Sequence, residues 1–196
     1  VTAPGRIVIL NGVPRSGKTS IARAIQELGG GHWLNIGVDS HMATLPERLK
    51  PGIGLRPGGE RPELESEIPA LYAALFKSMA AHARLGFNIV ADIGIHDGYS
   101  RPLGIWQICA SCLDGLDTLI VGVRCSIEEI MRRREASNAS YVGFTPDGCI
   151  PDIVLAWERA VHDGPDYDLE VDSSKLSPRE CGDQIVSALN ALVTRQ

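Results

Sequence analysis

Eight residues near the start of the chain have the types and spacing that bind a nucleotide phosphate. They match the pattern G-x-x-x-x-G-K-[ST] and stand between the apolar run 6–10 and a helix-like stretch over 20–28. A buried strand that leads through such a turn into a helix directs backbone N–H groups and the positive helix end to one point. There Lys18 would contact the β- and γ-phosphates of ATP, and the Thr19 hydroxyl would bind the bridging Mg²⁺. The predicted nucleotide-binding residues are Gly12, Val13, Pro14, Arg15, Ser16, Gly17, Lys18 and Thr19.

Two aspartates end predicted strands at the edge of the sheet where this turn lies. Asp39 closes a predicted strand over 33–39, and Asp92 closes another over 88–92. Ligands of open α/β sheets bind at the carboxyl ends of the strands. We expect one aspartate to act as the base for an acceptor hydroxyl and the other as a metal-side carboxylate, and position alone does not assign which. The alternative for each is a helix N-cap.

Three consecutive arginines, residues 132–134, could supply the positive charge that stabilises a transferring phosphoryl group. They span nearly a full helical turn, so they cannot all face one site. At least one is expected to be solvated or paired with Glu128, Glu129 or Glu135. One guanidinium over the phosphates is enough for the role of an arginine finger.

Strands and helices alternate along the whole chain and would position these residues. The pattern predicts a parallel sheet with helices on both faces, in a single domain over 1–196. A Pro- and Gly-rich segment over 46–69 predicts an irregular surface insertion, either a substrate-binding loop or a passive one. The predicted strands are 6–10, 33–39, 88–92, 117–123 and 167–172. The main predicted helices are 18–28, 68–85, 101–113, 153–162 and 178–193, with another that starts after Ser126.

Composition and charge favour a small-molecule partner. The net charge is −5 over 196 residues, and Lys and Arg are scattered, so we expect neither nucleic acid nor a membrane as partner. No apolar run approaches the ~20 residues of a membrane span, and the first residues do not resemble a signal peptide, so the expected location is the cytoplasm. The five cysteines are expected to be reduced, and the C-x-x-C pair over 109–112 lacks the further ligands of a zinc site.

These motifs resemble those of the chloramphenicol phosphotransferase family, P-loop kinases that use ATP to phosphorylate a hydroxyl of that antibiotic. The resemblance implies the P-loop kinase fold, with five parallel strands in the order 2-3-1-4-5. It also implies that Asp39 is the base, which leaves Asp92 for the metal, and that Arg134 begins a lid that closes over the phosphates. The segments that carry the resemblance are 9–19, 33–40, 89–92, 121–125, 134–135, 161–162 and 167–172.

The chain departs from the family pattern at two places. After Arg134 the predicted lid over 134–152 lacks a second arginine at its usual position, and the insertion over 46–69 does not align with the family. We therefore predict ATP-dependent phosphorylation of a hydroxylated small molecule, with chloramphenicol as a candidate acceptor. The alternatives are a kinase of another antibiotic or metabolite, and a nucleotide-binding regulator or weak ATPase.

Overall fold

The computed structural model describes residues 3–59, 61–137, 145, 148–164 and 166–193. Its strands are β1 (Ile7–Asn11), β2 (Trp33–Asn35), β3 (Asn88–Ile93), β4 (Thr118–Arg124) and β5 (Leu169–Asp172). All neighbouring strands are parallel, and they form one five-stranded sheet in the order β2-β3-β1-β4-β5. The strand order implied by the family resemblance is therefore confirmed.

Helices cover both faces of this sheet. They are α1 (Lys18–Leu28), α2 (Val38–Met42), α3 (Ile68–Arg84), α4 (Ile105–Leu113), α5 (Ile127–Glu135), α6 (Asp152–His162) and α7 (Pro178–Val193). In β1, Ile7 and Ile9 face the core formed with α3 and α4, whereas Val8 and Leu10 face α1 and α7. All four side chains are fully buried, which explains why β1 is a continuous apolar run.

The second strand is shorter than predicted, and this changes the place of Asp39. The prediction extended the strand over 33–39, but its pairing with β3 ends where Asn35 faces Val90. The chain then leaves the sheet, and Gly37 is the N-cap of α2. Asp39 therefore lies in the first turn of a short helix and not at the end of a strand.

The fourth helix also begins later than predicted. The prediction started it at Arg101, but α4 begins at Ile105. The Asp97 side chain accepts hydrogen bonds from the backbone N–H groups of Leu103 and Gly104 at 3.0 and 3.1 Å, and these bonds hold the preceding segment in a turn. The other main predicted helices match α1, α3, α6 and α7 to within one residue.

The insertion over 46–69 is less of a surface loop than its composition suggested. It contains short 3-10 turns at Glu47–Leu49, Gly52–Gly54 and Pro62–Glu67. Ile53 and Leu55 are at most 1% exposed and join the core formed with α3. These two apolar side chains therefore anchor the middle of this Pro- and Gly-rich segment in the core.

Nearly half of the predicted lid over 134–152 lies outside the described residues, which do not include 138–144, 146 and 147. Of its flanks, α5 ends at Glu135 and α6 begins at Asp152. None of the helices in the described part of the chain is long and apolar enough to cross a membrane.

Candidate active site

A cavity of about 980 Å³ opens at the carboxyl ends of the central strands. The turn after β1, the start of α2, the end of β3, α5 and the segment after β5 all contribute to its lining. The cavity brings Asp39 and Asp92 together with six residues of the predicted nucleotide-binding turn, namely Gly12, Pro14, Arg15, Gly17, Lys18 and Thr19. Parallel strands present their carboxyl ends at one edge, so residues far apart in sequence meet there.

The turn after β1 has the geometry of an anion site. Gly17 adopts the left-handed conformation, with φ of 91°, directly before α1. Gly12 is required for close packing, because a Cβ atom there would lie 2.7 Å from the backbone oxygen of Val123. No side chain in the described part of the chain caps the start of α1. Its first N–H groups can therefore bind a phosphate.

Lys18 folds back onto this turn. Its Nζ donates hydrogen bonds to the backbone oxygens of Gly12 at 2.7 Å and Val13 at 2.8 Å. Burial lowers the pKa of Lys18 to about 8, and the carboxylates of Asp92 and Asp39 oppose this shift. A bound phosphate would add negative charge beside the ammonium and raise this pKa.

Thr19 and Asp92 form the group that could hold a metal ion. The Thr19 hydroxyl donates a hydrogen bond to Asp92 Oδ2 at 2.6 Å. Mg²⁺ prefers oxygen ligands and is usually held in kinases by one or two protein groups, with water and the substrate phosphates completing the shell. The donor set of this pair fits Mg²⁺. Groups of three or more His, Cys, Asp or Glu side chains suited to a metal are absent from the residues that the structure describes.

Gly37 makes room for the Asp92 carboxylate. A Cβ atom at position 37 would lie 1.7 Å from Asp92 Oδ1, closer than any real contact. The missing side chain at Gly37 therefore lets Asp92 approach Thr19. Gly37 is also the N-cap of α2, and it thereby places Asp39 in the first turn of that helix. Sequence reasoning did not single out Gly37, and its need for a small residue is apparent only from the crossing of two segments.

Asp39 is exposed and lines the cavity from the first turn of α2. The negative charge of Asp39 acts on Lys18 and opposes the lowering of the Lys18 pKa by burial. The alternative role as an N-cap is wrong for both aspartates. The N-caps of α2 and α4 are Gly37 and Gly104, and Asp92 lies within β3. Both carboxylates therefore keep their lone pairs for the cavity or for Thr19.

The three arginines of α5 occupy different environments. Among the described residues that line the cavity are Arg132 and Arg133 but not Arg134. The buried stripe of α5 consists of Ile130, Met131 and Arg134, and Arg134 is 7% exposed. A helix buries residues three and four positions apart on one face, so the phase of α5 turns the two preceding arginines toward the cavity.

Arg133 ties α5 to the nucleotide-binding turn. Its Nε donates to Glu129 Oε1 at 2.7 Å, and its Nη1 donates to the backbone oxygen of Arg15 at 3.2 Å. The same guanidinium donates to the backbone oxygen of Ser173 at 2.7 Å. Arg132 forms two bonds of 2.6 Å with Glu129, and its side chain is 69% exposed. The predicted pairing of an arginine with a neighbouring glutamate is therefore confirmed.

One side of the cavity is apolar, and sequence analysis missed most of it. We define the apolar wall as the cavity-lining residues Val38, Met42, Ile53, Gly54 and Trp157. Tyr72 and Phe76, which follow the insertion in α3, are not part of this wall, because both are fully buried in the core, with ring centroids 5.7 Å apart. The spacing of an amphipathic helix identifies its buried face, but it does not say whether that face meets the core or a cavity.

The start of α7 and the segment before it also line the cavity. The lining residues from this part of the chain are Ser173, Leu176, Ser177 and Pro178.

Two of the predicted turn residues, Val13 and Ser16, are buried beneath the turn and do not line the cavity in the described structure.

A family profile described as chloramphenicol phosphotransferase-like protein matches residues 5–190. Two relatives from Mycobacterium tuberculosis strains CDC 1551 and H37Rv, each named Putative O-phosphotransferase, are 26% identical over 204 residues. The alignment covers 95% of this chain and 83% of each relative.

Solved structures of kinases are similar to this chain over nearly its whole length. A sugar kinase from Janibacter sp. HTCC2649 has a TM-score of 0.66 at 18% identity, with 95% of each chain covered. The APS kinase of Mycobacterium tuberculosis, solved in complex with AMPPNP and APS, has a TM-score of 0.64 at 16% identity, with 96% of this chain and 99% of that chain covered. These similarities show that the chain has the P-loop kinase fold.

Proposed function

The chain belongs to the chloramphenicol phosphotransferase-like family, and from this membership and the geometry of the cavity we propose that it transfers the γ-phosphate of ATP to a hydroxyl of a small neutral molecule. The observation that carries the proposal is the meeting of Lys18, Asp39 and the Thr19–Asp92 pair in one cavity. Chloramphenicol is the first candidate acceptor, since the family is named for it.

The nucleotide would bind with its phosphates on the turn over 12–19. Lys18 would leave the backbone oxygens it now contacts and bind between the β- and γ-phosphates. Thr19 and Asp92 would hold Mg²⁺, which offsets negative charge on the two phosphates when it is bound. The adenine end would then extend toward the segment over 173–178.

Asp39 would act as the base. Its carboxylate would accept the proton of the acceptor hydroxyl while the hydroxyl oxygen forms a bond to the γ-phosphorus. The bond from that phosphorus to the β–γ bridging oxygen breaks, and ADP leaves. The charge that develops on the transferred group would be stabilised by Lys18 and by Arg132 or Arg133.

The lining of the cavity favours a neutral acceptor. In the described structure its lysine and arginine residues all belong to the turn or to α5. The apolar wall includes Val38, the chain neighbour of Asp39, and Met42 in the same helix α2. Burial of an anion against apolar side chains and a carboxylate costs free energy because nothing there compensates its charge. The acceptor is therefore expected to present an apolar body to the wall and a hydroxyl to Asp39.

Release of ADP from Mg-ATP, measured over a panel of hydroxylated compounds, tests the proposal. The panel should contain chloramphenicol, a neutral sugar and an anionic alcohol such as shikimate. We expect a neutral acceptor to accelerate ADP release and the anionic alcohol to have no effect. If the protein binds ATP and hydrolyses it slowly at one unchanged rate with every compound, it is a nucleotide-binding regulator or weak ATPase.

A further inference from the structure

We propose that His96 is a positioning residue that sets the shape of the apolar wall and thereby the affinity for the acceptor. The inference rests on the proposed function in one respect, namely that the wall binds the acceptor. His96 follows β3 by three residues and is 1% exposed. It is not among the described residues that line the cavity, so any effect on the acceptor must act through its neighbours.

The hydrogen bonds of His96 attach the insertion to the loop after β3. Its Nε2 lies 3.0 Å from the backbone oxygen of Leu55, and the backbone N–H of Gly98 donates to its Nδ1 at 3.1 Å. Because Nδ1 accepts, the proton must lie on Nε2, which donates to Leu55. Leu55 directly follows the wall residues Ile53 and Gly54, so this bond fixes the backbone from which they line the cavity.

The His96 ring also contacts the wall residue Trp157. It meets Trp157 edge to face, with ring centroids 5.1 Å apart and an interplanar angle of 85°. On its other side it packs against Tyr99 at 4.4 Å. Trp157 belongs to α6, whereas Leu55 belongs to the insertion. One imidazole therefore joins two of the three segments that supply the apolar wall, the insertion and α6.

The backbone beside His96 reinforces this junction. The N–H of Gly58 donates to the backbone oxygen of Gly98 at 2.8 Å. A Cβ atom at position 98 would lie 3.0 Å from the Ala160 Cβ and 3.1 Å from the Pro57 Cβ. The loop over 96–98 thus fills the space between the insertion and α6. A neutral imidazole, which both donates and accepts, is suited to this place, and a protonated ring could not accept from Gly98.

Replacement of His96 separates acceptor binding from nucleotide binding. His96→Ala removes both side-chain hydrogen bonds, and we expect the KM for chloramphenicol to rise about tenfold while the KM for ATP changes less than about twofold. His96→Gln retains an N–H donor and a carbonyl acceptor and is expected to restore most of the affinity. His32→Ala, at an exposed position, is the matched control. Equal rises in both KM values, or no rise, would overturn the inference.

Amide hydrogen exchange tests the same inference without an acceptor. We expect His96→Ala to accelerate exchange over residues 52–58 and to leave the turn over 12–19 unchanged. If wild type phosphorylates no compound of the panel, the proposed function fails on its own, and this comparison still decides the positioning role. Unchanged exchange over 52–58, or faster exchange throughout, would contradict it. If His96→Ala does not fold, His96→Asn retains an acceptor near Gly98 but is too short to reach Leu55, and the same outcomes apply.

Discussion

The Thr19 hydroxyl lies 2.6 Å from Asp92 Oδ2, so the last residue of the nucleotide-binding turn and a carboxylate of the neighbouring strand β3 meet at one point. The two residues are 73 positions apart in the chain. Their meeting depends on the strand order, which places β3 directly beside β1. The parallel register, in which Asp92 faces Leu10, brings the carboxylate to the level where the turn begins.

Replacement of Asp92 is expected to remove most of the dependence of ATP binding on Mg²⁺. Asp92→Asn preserves the size of the side chain but removes the negative charge beside Thr19, so the affinity for Mg-ATP should fall about 10- to 100-fold. The affinity for ATP in the presence of EDTA serves as the control and should fall much less. Titration by calorimetry measures both values, and an unchanged ratio between them would refute the metal-binding role.

Replacement of Gly37 by alanine is expected to weaken Mg-ATP binding, because the added Cβ would clash with Asp92. Gly37 has φ of −101°, which alanine adopts freely, so Gly37→Ala acts through contacts with Asp92, whose Oδ1 would lie 1.7 Å and whose backbone oxygen would lie 2.9 Å from the new Cβ. We expect a loss of Mg-ATP affinity similar to that of Asp92→Ala. The double variant should lose little more than either single variant, because both changes remove the same interaction. Additive losses in this cycle would contradict the assigned contact.

The three arginines of α5 should give three separable phenotypes. Arg133→Met removes the bonds to Arg15 and Ser173 and is expected to lower the free energy of unfolding by about 1–3 kcal/mol. Arg132→Met breaks an exposed pair, so it should leave the free energy of unfolding nearly unchanged, while kcat falls if this side chain faces the transferred phosphate. Chemical denaturation and steady-state kinetics on both variants make the comparison.

The same measurements on Arg134→Met show which of the three arginines acts on the transferred phosphate. Arg134 is buried, so its replacement is expected to act mainly on stability. A loss of kcat with Arg134→Met, at unchanged stability and with Arg132→Met fully active, would instead support the role for Arg134 that the family resemblance implies.

His162 is expected to make the protein less stable in acid. Burial, together with the positive charges of Arg124 and Lys18, lowers the pKa of His162 to about 4, although Glu170 opposes the shift. The unfolded chain binds a proton near pH 6.5, whereas the folded protein resists it until about pH 4. Stability is therefore retained above pH 6.5 and lost as the pH falls toward 4, by up to about 3 kcal/mol.

His162→Gln is the reference for this effect, because glutamine can still bond to the Tyr167 hydroxyl, now 2.9 Å from His162 Nδ1, but does not titrate. Urea denaturation of both proteins between pH 7 and pH 4 gives the difference in the free energy of unfolding. We expect this difference to change in favour of His162→Gln as the pH falls. A difference that stays constant with pH would mean that His162 is not the group that titrates.

The parts of the site that depend on local motifs could be predicted from the sequence. The turn over 12–19, the start of α1 at Lys18 and the capping bond from the Glu129 N–H to Ser126 Oγ at 3.3 Å each involve residues only a few positions apart. The strand order required the family resemblance, because alternation of strands and helices is compatible with several orders.

The parts that depend on packing between distant segments were missed or misplaced. Trp157 lines the cavity because of the rotation of α6, which nothing in its own sequence specifies. Asp39 lies in a helix because the edge strand β2 stops pairing at Asn35. The contact of His96 with Leu55 depends on a Pro- and Gly-rich segment, and the composition of that segment does not reveal its path.

Product formation by Asp39→Asn tests the central claim most directly. Wild type and variant are incubated with Mg-ATP and the best acceptor of the panel, and the phosphorylated acceptor is quantified by mass spectrometry. Asparagine cannot accept the hydroxyl proton, so we predict that product formation falls about 100- to 10,000-fold while the Kd for Mg-ATP stays within about threefold of wild type. Product formation by Asp39→Asn at a rate near that of wild type would contradict the account.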